Sequence, residues 1–231
     1  MDIQVLASGS RGNCYRVTDG KTALLLECGI PFPQILKSLD YRTSEIEACL
    51  LTHEHGDHAR AAKDLLRAGV DVYTSAGTAR ALGFKSHRLR VVQPKTRFTV
   101  GSWSILPFDT VHDAAEPLGF LLDSGEERLL FATDTAYLRY RFTKLTHIML
   151  ECNYDLEILK ANVAAGLVSS EVKRRVLKSH MSLETAKNML KANDLRRVRE
   201  IILIHLSDDN GNAQRFKNEI ARITGKVVRI A

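Results

Sequence analysis

Cysteine and proline are scarce in this 231-residue chain, at four and five. The cysteines (Cys14, Cys28, Cys49, Cys152) lie far apart without C-x-x-C spacing. That argues against a disulfide framework and leaves reduced thiols, mostly buried in strands, as the expectation. No apolar run approaches the ~20 residues that span a bilayer. The first residues, MDIQVLASGS, carry an acid where an export signal carries bases, so the sequence reads as cytoplasmic, without a membrane partner. A Pro/Gly/Ser-rich linker and low-complexity tracts are also missing, which predicts a single domain over residues 1–231.

What is present is ordinary globular composition, 45% hydrophobic and 26% charged. The net charge of +6 favours anionic partners, though only as a weak indication. The basic clusters LRYRFTK, VKRRVLK and LRRVRE are dispersed and read equally well as solvated faces. Short β-like runs fill the first half: IQVLA, CYRVT, TALLLE, ACLLT, DVYT, RVVQ, SILPF, LGFLL and RLLFAT. PFPQILKSL and HARAAKDLLRAG read as helices there, the first opening near Pro and the second closing on Gly. THIMLE, REIILIHL and KVVRI are strands of the second half. SLETAKNMLKAN, with Ser182 as N-cap, and NAQRFKNEIARITG are helices with apolar stripes. The alternation predicts two sheets packed together and covered by helices.

The density of protonatable groups in THEHGDH sets the functional question. His53 and His55 are two residues apart and face one way in extended chain, while Asp57 and His58 follow Gly56, where the chain can bend. Imidazoles and carboxylates are the ligands that suit zinc and similar divalent ions. Crowded imidazoles without a cation would be desolvated or would repel one another when protonated. A histidine-rich exposed turn is the bland alternative, and the placement between a strand and a helix argues against it.

THEHGDH matches the H-x-H-x-D-H motif of the metallo-β-lactamase superfamily, and further motifs follow in order: His112 in TVHDAAEPLGF, Asp134 in FATDTA and His205 in ILIHLSDD. Glu27 in LLLECG stands where that family usually has Asp. The resemblance covers nearly the whole chain and implies an α/β fold, the four-layer αββα sandwich. It also implies two divalent ions, zinc first and manganese as the alternative. Carried over residue by residue, His53, His55 and His112 would hold one ion and Asp57, His58 and His205 the other, with Asp134 bridging. Glu27 would act on the hydrogen bonds that orient the ligands. Two such ions activate water and stabilise charge on a phosphoryl oxygen.

LASGSRGNCYRV, HDAAEPLGF and the segment from ECNYD to SHMSLETA resemble the YycJ/WalJ-like branch, which usually has His in place of Tyr154 and Gly in place of Ser179. SHMSLETA also resembles the RNase Z family, and that match makes His180 a candidate general acid, alongside Asp57 as a catalytic ligand. A plain neighbour of a helix N-cap is the alternative for His180. Ser8, Ser10 and Asn13 lie in a polar turn that could contact a phosphate, or simply close a hairpin. His87 and His147 match no motif and read as surface or packing residues.

The chain has no room for the large cap of β-CASP nucleases and shows no RNase Z-type arm. Among compact YycJ-like proteins it looks most like the phage anti-Pycsar proteins. That implies hydrolysis of cyclic CMP or cyclic UMP to monophosphates, in a homodimer within the host cytoplasm, to counter a bacterial anti-phage signal. Tyr137, Tyr140 or Tyr154 would then stack on the base. A YycJ/WalJ-like or RNase Z-like nuclease acting on longer nucleic acid is the alternative, and a non-catalytic nucleotide-sequestering module is a third reading.

Overall fold

The apolar runs become strands where the sequence places them, in a computed structural model that describes residues 1–231. Chain contacts divide it into two compact units, Met1–Asp109 with Ala114–Glu127 and Thr110–Asp113 with Arg128–Ala231.

The first unit contains β1 (Asp2–Ala7), β2 (Cys14–Thr18), β3 (Ala23–Leu26), β4 (Ile46–Leu50), β5 (Asp71–Thr74) and β6 (Leu89–Val91), which form one sheet in that order. The β1–β2 and β2–β3 pairs are antiparallel, and the rest are parallel. All of β3 is buried, the unbroken apolar pattern of a strand covered on both faces. Its cover includes α1 (Phe32–Ser38) and α3 (Ala62–Arg67), whose Ile35, Leu65 and Leu66 join Leu25, Cys49 and Leu51 in one core cluster. Two further helices, α2 (Gly56–Ala59) and α4 (Ala76–Leu82), complete this part. β7 (Phe98–Val100), β8 (Trp103–Asp109) and β9 (Leu118–Asp123) make an antiparallel meander.

The second unit is built on four parallel strands: β10 (Arg128–Ala132), β11 (His147–Glu151), β12 (Glu200–Ile204) and β13 (Val227–Ile230). Its helices are α5 (Leu156–Ala164), α6 (Ser170–Ser179), α7 (Leu183–Lys191) and α8 (Ala213–Thr224). Ser182 caps α7 as expected, its side chain accepting from the Thr185 amide at 3.1 Å. Phe216 and Ile220 of α8 are buried. All four cysteines are buried and unpaired with one another.

The helix read across HARAAKDLLRAG is two helices. The Ala61 amide donates to the Cys28 carbonyl at 2.9 Å instead of continuing the helical ladder. β7 and α4, three and seven residues long, are elements the sequence pattern did not show. No helix is long and apolar enough to cross a membrane.

Candidate metal centre

In the first unit, β3 and β4 run parallel and release their chains at the same end. The Glu27 amide donates to the Leu50 carbonyl at 3.0 Å, so the ECG and THEHGDH segments leave side by side. The Cys28 amide then donates to His58 O and the Asn13 amide to Asp57 O, both at 2.8 Å. This close backbone approach requires glycine at position 29, where a Cβ would stand 1.7 Å from the Asp57 carbonyl oxygen. Gly29→Ala is therefore expected to cost more than the ~1–3 kcal/mol of ordinary overpacking, read as a lower urea midpoint. A variant as stable as the parent would show that the approach is dispensable.

The side chains converge on the same place. His53 Nε2 lies 3.1 Å from His55 Nδ1, and the His53 and His58 rings are 4.2 Å apart. His58 Nε2 is 3.4 Å from Asp57 Oδ2. Thr52 Oγ1 fixes the His53 ring through Nδ1 at 2.8 Å. Glu27, fully buried, accepts from the Thr52 amide at 3.2 Å and has its second oxygen 3.4 Å from His58 Nδ1. Burial pushes the Glu27 carboxyl up, against the pull of the neighbouring His58. The longer Glu side chain thus brings its carboxylate within 3.4 Å of the His58 ring.

The polar turn before β2 serves this cluster from behind. Asn13 is fully buried, its Oδ1 accepting from the Gly9 amide and the Tyr15 hydroxyl. Its Nδ2 donates to the Gly9 and Asp57 carbonyls and lies 3.3 Å from His58 Nε2. Asn13 thus positions the motif. Ser8 shares a hydrogen bond with the Tyr15 hydroxyl at 2.9 Å, and Ser10 is exposed.

In the second unit, the carboxyl ends of three neighbouring parallel strands deliver Asp134, Glu151 and His205. His180 joins them from the end of α6. One ligand-capable atom from each of these four residues lies within 4.8 Å of the others. Asp134 is 3.4 Å from both His112 Nε2 and His205 Nδ1. The Ser179 carbonyl lies 2.8 Å from His112 Nδ1 and fixes that ring. Burial draws the pKa of His112 down, which favours the neutral imidazole that ligates metals.

Glu151, fully buried, is the residue that motif reading missed. It takes hydrogen bonds from the Thr135 amide at 2.8 Å and the Met181 amide at 3.1 Å. Its Oε1 lies 2.7 Å from His180 Nδ1 and 3.1 Å from His205 Nδ1. Burial works against a charged His180, but the Glu151 charge and hydrogen bond prevail and raise its pKa. Burial likewise works against the Glu151 carboxylate, and the His180 charge overcomes it and lowers the pKa. An acid ending the otherwise apolar HIMLE strand was the available sign. Glu54 was also passed over. Its carboxylate accepts from the Ala115 amide at 2.8 Å and the Thr78 hydroxyl at 3.2 Å, and so pins the segment between His53 and His55.

Glu27, Asp134 and His205 all have left-handed backbones, with φ of 64°, 44° and 53°. Non-glycine residues there cost on the order of 1–3 kcal/mol each and gather at functional sites. The first cluster, and Asp134 with His112 and His205 in the second, suit divalent cations: imidazoles and carboxylates face one another at distances that a shared positive charge would relieve. His147, buried on β11, and exposed His87 lie in neither cluster.

Comparison with known proteins follows the same line. The beta-lactamase superfamily domain matches residues 24–206. The exodeoxyribonuclease WalJ of Streptococcus pneumoniae (strain D39) is 28% identical, over 89% of this chain and 81% of its own. The exodeoxyribonuclease YycJ of Bacillus anthracis is 26% identical, over 96% and 89%. Among solved structures, the metallo-beta-lactamase fold protein YhfI of Bacillus subtilis superposes with a TM-score of 0.77 at 19% identity, covering 99% of this chain and 95% of its own. Human tRNase Z, short form, gives 0.65 at 15% identity, covering 100% and 96%. With that domain matched over most of its length, the chain belongs to the beta-lactamase superfamily and is a metal-dependent hydrolase with the α/β sandwich of that fold.

Proposed function

We propose that the protein hydrolyses nucleotide phosphodiesters and that a DNA strand is its substrate. The observation that carries the chemistry is the Glu151–His180 pair at 2.7 Å, a proton donor held beside the Asp134 and His205 ligands. The strand is favoured by relatives that are exodeoxyribonucleases over most of this chain. His53, His55 and His112 would hold one divalent ion and Asp57, His58 and His205 the other, with Asp134 between them. Such ions, zinc or manganese, would supply Lewis acidity toward the phosphoryl oxygens and a nucleophile at neutral pH. Ionised Glu151 fixes the Nδ1 side of His180, which leaves Nε2 to give its proton to the leaving oxygen as the phosphorus–oxygen bond breaks. His205 is kept in orientation by the same carboxylate and by Asn153, whose Nδ2 donates to the His205 carbonyl at 2.8 Å.

A cyclic mononucleotide such as cyclic CMP or cyclic UMP is the second reading. Tyr137 favours it: the loop after Asp134 leaves this ring 44% exposed, with the Arg139 guanidinium 5.8 Å from its centroid, a place for a base to stack. Tyr154 is not available for stacking, being buried and bridged to Ser182. Salt separates the readings. A strand makes several phosphate contacts and its binding should weaken steeply from 50 to 200 mM salt, whereas a cyclic mononucleotide should respond little. Shortening of a labelled single strand with that steep dependence supports the first reading. Consumption of cyclic CMP beside an intact strand supports the second.

We also propose a homodimer, supported by the α5–α6 segment. Leu156, Leu167, Val172 and Leu177 are exposed there, four of the eight large hydrophobic side chains exposed in the chain. Light scattering should give twice the chain mass, and Leu167→Glu with Val172→Glu should give the single mass. A monomeric parent would remove this proposal.

A further inference from the structure

A recess in the first unit lies on residues that belong to neither ligand cluster. Lys63, Leu66 and Arg67 of α3 form one side, and Phe84, Lys85 and Ser86, just after α4, form the other. Its volume is about 360 Å³, at the lower end of the roughly 300–1,000 Å³ range of ligand pockets. Three cations line it and no carboxylate does. Arg67 has a partner in Asp64 at 3.6 Å, one turn away on the same helix. Lys63 and Lys85 have no carboxylate partner. Lys63 Nζ instead lies 5.9 Å from the centroid of the Phe84 ring. Phe84 is half-buried, packed with its inner side on the core cluster, so the ring is held in place.

We infer that this recess binds one nucleotide of a single-stranded nucleic acid, the base against Phe84 and the flanking phosphates against Lys63 and Lys85. A fixed aromatic ring beside uncompensated ammonium groups is the combination that holds single strands without reading their sequence. Leu66 extends the apolar floor, and Arg67 adds charge at the rim. The inference deepens the strand reading and rests on it, since a cyclic mononucleotide has no second phosphate to place there.

The test is fluorescence anisotropy of the metal-loaded protein with a labelled, hydrolysis-resistant phosphorothioate 12-mer over a salt series. The parent should be compared with the double variant Lys63→Ala/Lys85→Ala and with Phe84→Leu, which keeps an apolar group on the core. The double variant should make the slope of log affinity against log salt shallower by about 1.4, that is, about 0.7 for each lost phosphate contact. Phe84→Leu should weaken binding by on the order of 10-fold, with the salt slope unchanged. Hydrolysis of bis(p-nitrophenyl) phosphate should stay at the parental rate in both, because neither variant changes a residue of the two ligand clusters. Parental affinity and slope in the double variant would overturn the inference while that hydrolysis still reports on the phosphodiesterase reading. Weakened binding of free dCMP with intact strand binding would also overturn it, by assigning the recess to mononucleotides.

Discussion

His180→Ala should lower kcat on a DNA strand by ~10²–10⁴-fold, the usual scale for losing a general acid. Metal content should be unchanged, because His205, Asp134 and His112 remain in place. The loss should be much smaller on bis(p-nitrophenyl) phosphate, whose leaving group departs without a proton. Glu151→Gln should reproduce the pattern in part. It keeps the shape that accepts from the Thr135 and Met181 amides but loses the negative charge facing His180 at 2.7 Å. Glu151→Ala would leave buried imidazoles without their partner and should also destabilise the fold. Equal losses on both substrates for His180→Ala would assign the residue a binding or packing role.

Asp57→Ala should cut activity on both substrates, on the order of 10²-fold or more, the scale for removing one group that stabilises developing charge. The Asp57 carboxylate is 27% exposed and 3.4 Å from His58 Nε2, so removing it opens no large cavity. The contacts that seat this segment are made by the Asp57 carbonyl, which the substitution keeps. Metal content should fall from about two equivalents per chain toward about one. Elemental analysis and a urea melt on the same preparation separate ligand loss from unfolding. Fully active, metal-free parent protein would contradict the whole assignment.

The sequence made the strands and the THEHGDH cluster legible for a physical reason. Strand apolarity and ligand spacing are both local, so a window of six to ten residues carries them. Glu151 is different. Its role comes from the parallel register that sets β11 between β10 and β12, and nothing within HIMLE announces that His180 and His205 will face its carboxylate. Asn13 shows the opposite case: its polar turn suggested a ligand contact, and the fold buries its amide against the Asp57 carbonyl. The break at Ala61 was hidden likewise, because the acceptor of its amide is Cys28, 33 residues earlier in the chain.

Whether this hydrolase acts on nucleotide phosphodiesters is decided by product analysis of the metal-loaded protein. A single-stranded DNA oligonucleotide, cyclic CMP and a β-lactam should be incubated separately, with and without chelator. Phosphorus NMR should follow the first two, and ring-opening absorbance the third. Phosphodiesterase activity requires phosphomonoester products from the strand, an intact lactam, and no reaction once the metals are removed. An opened lactam ring with both phosphodiesters untouched would contradict it.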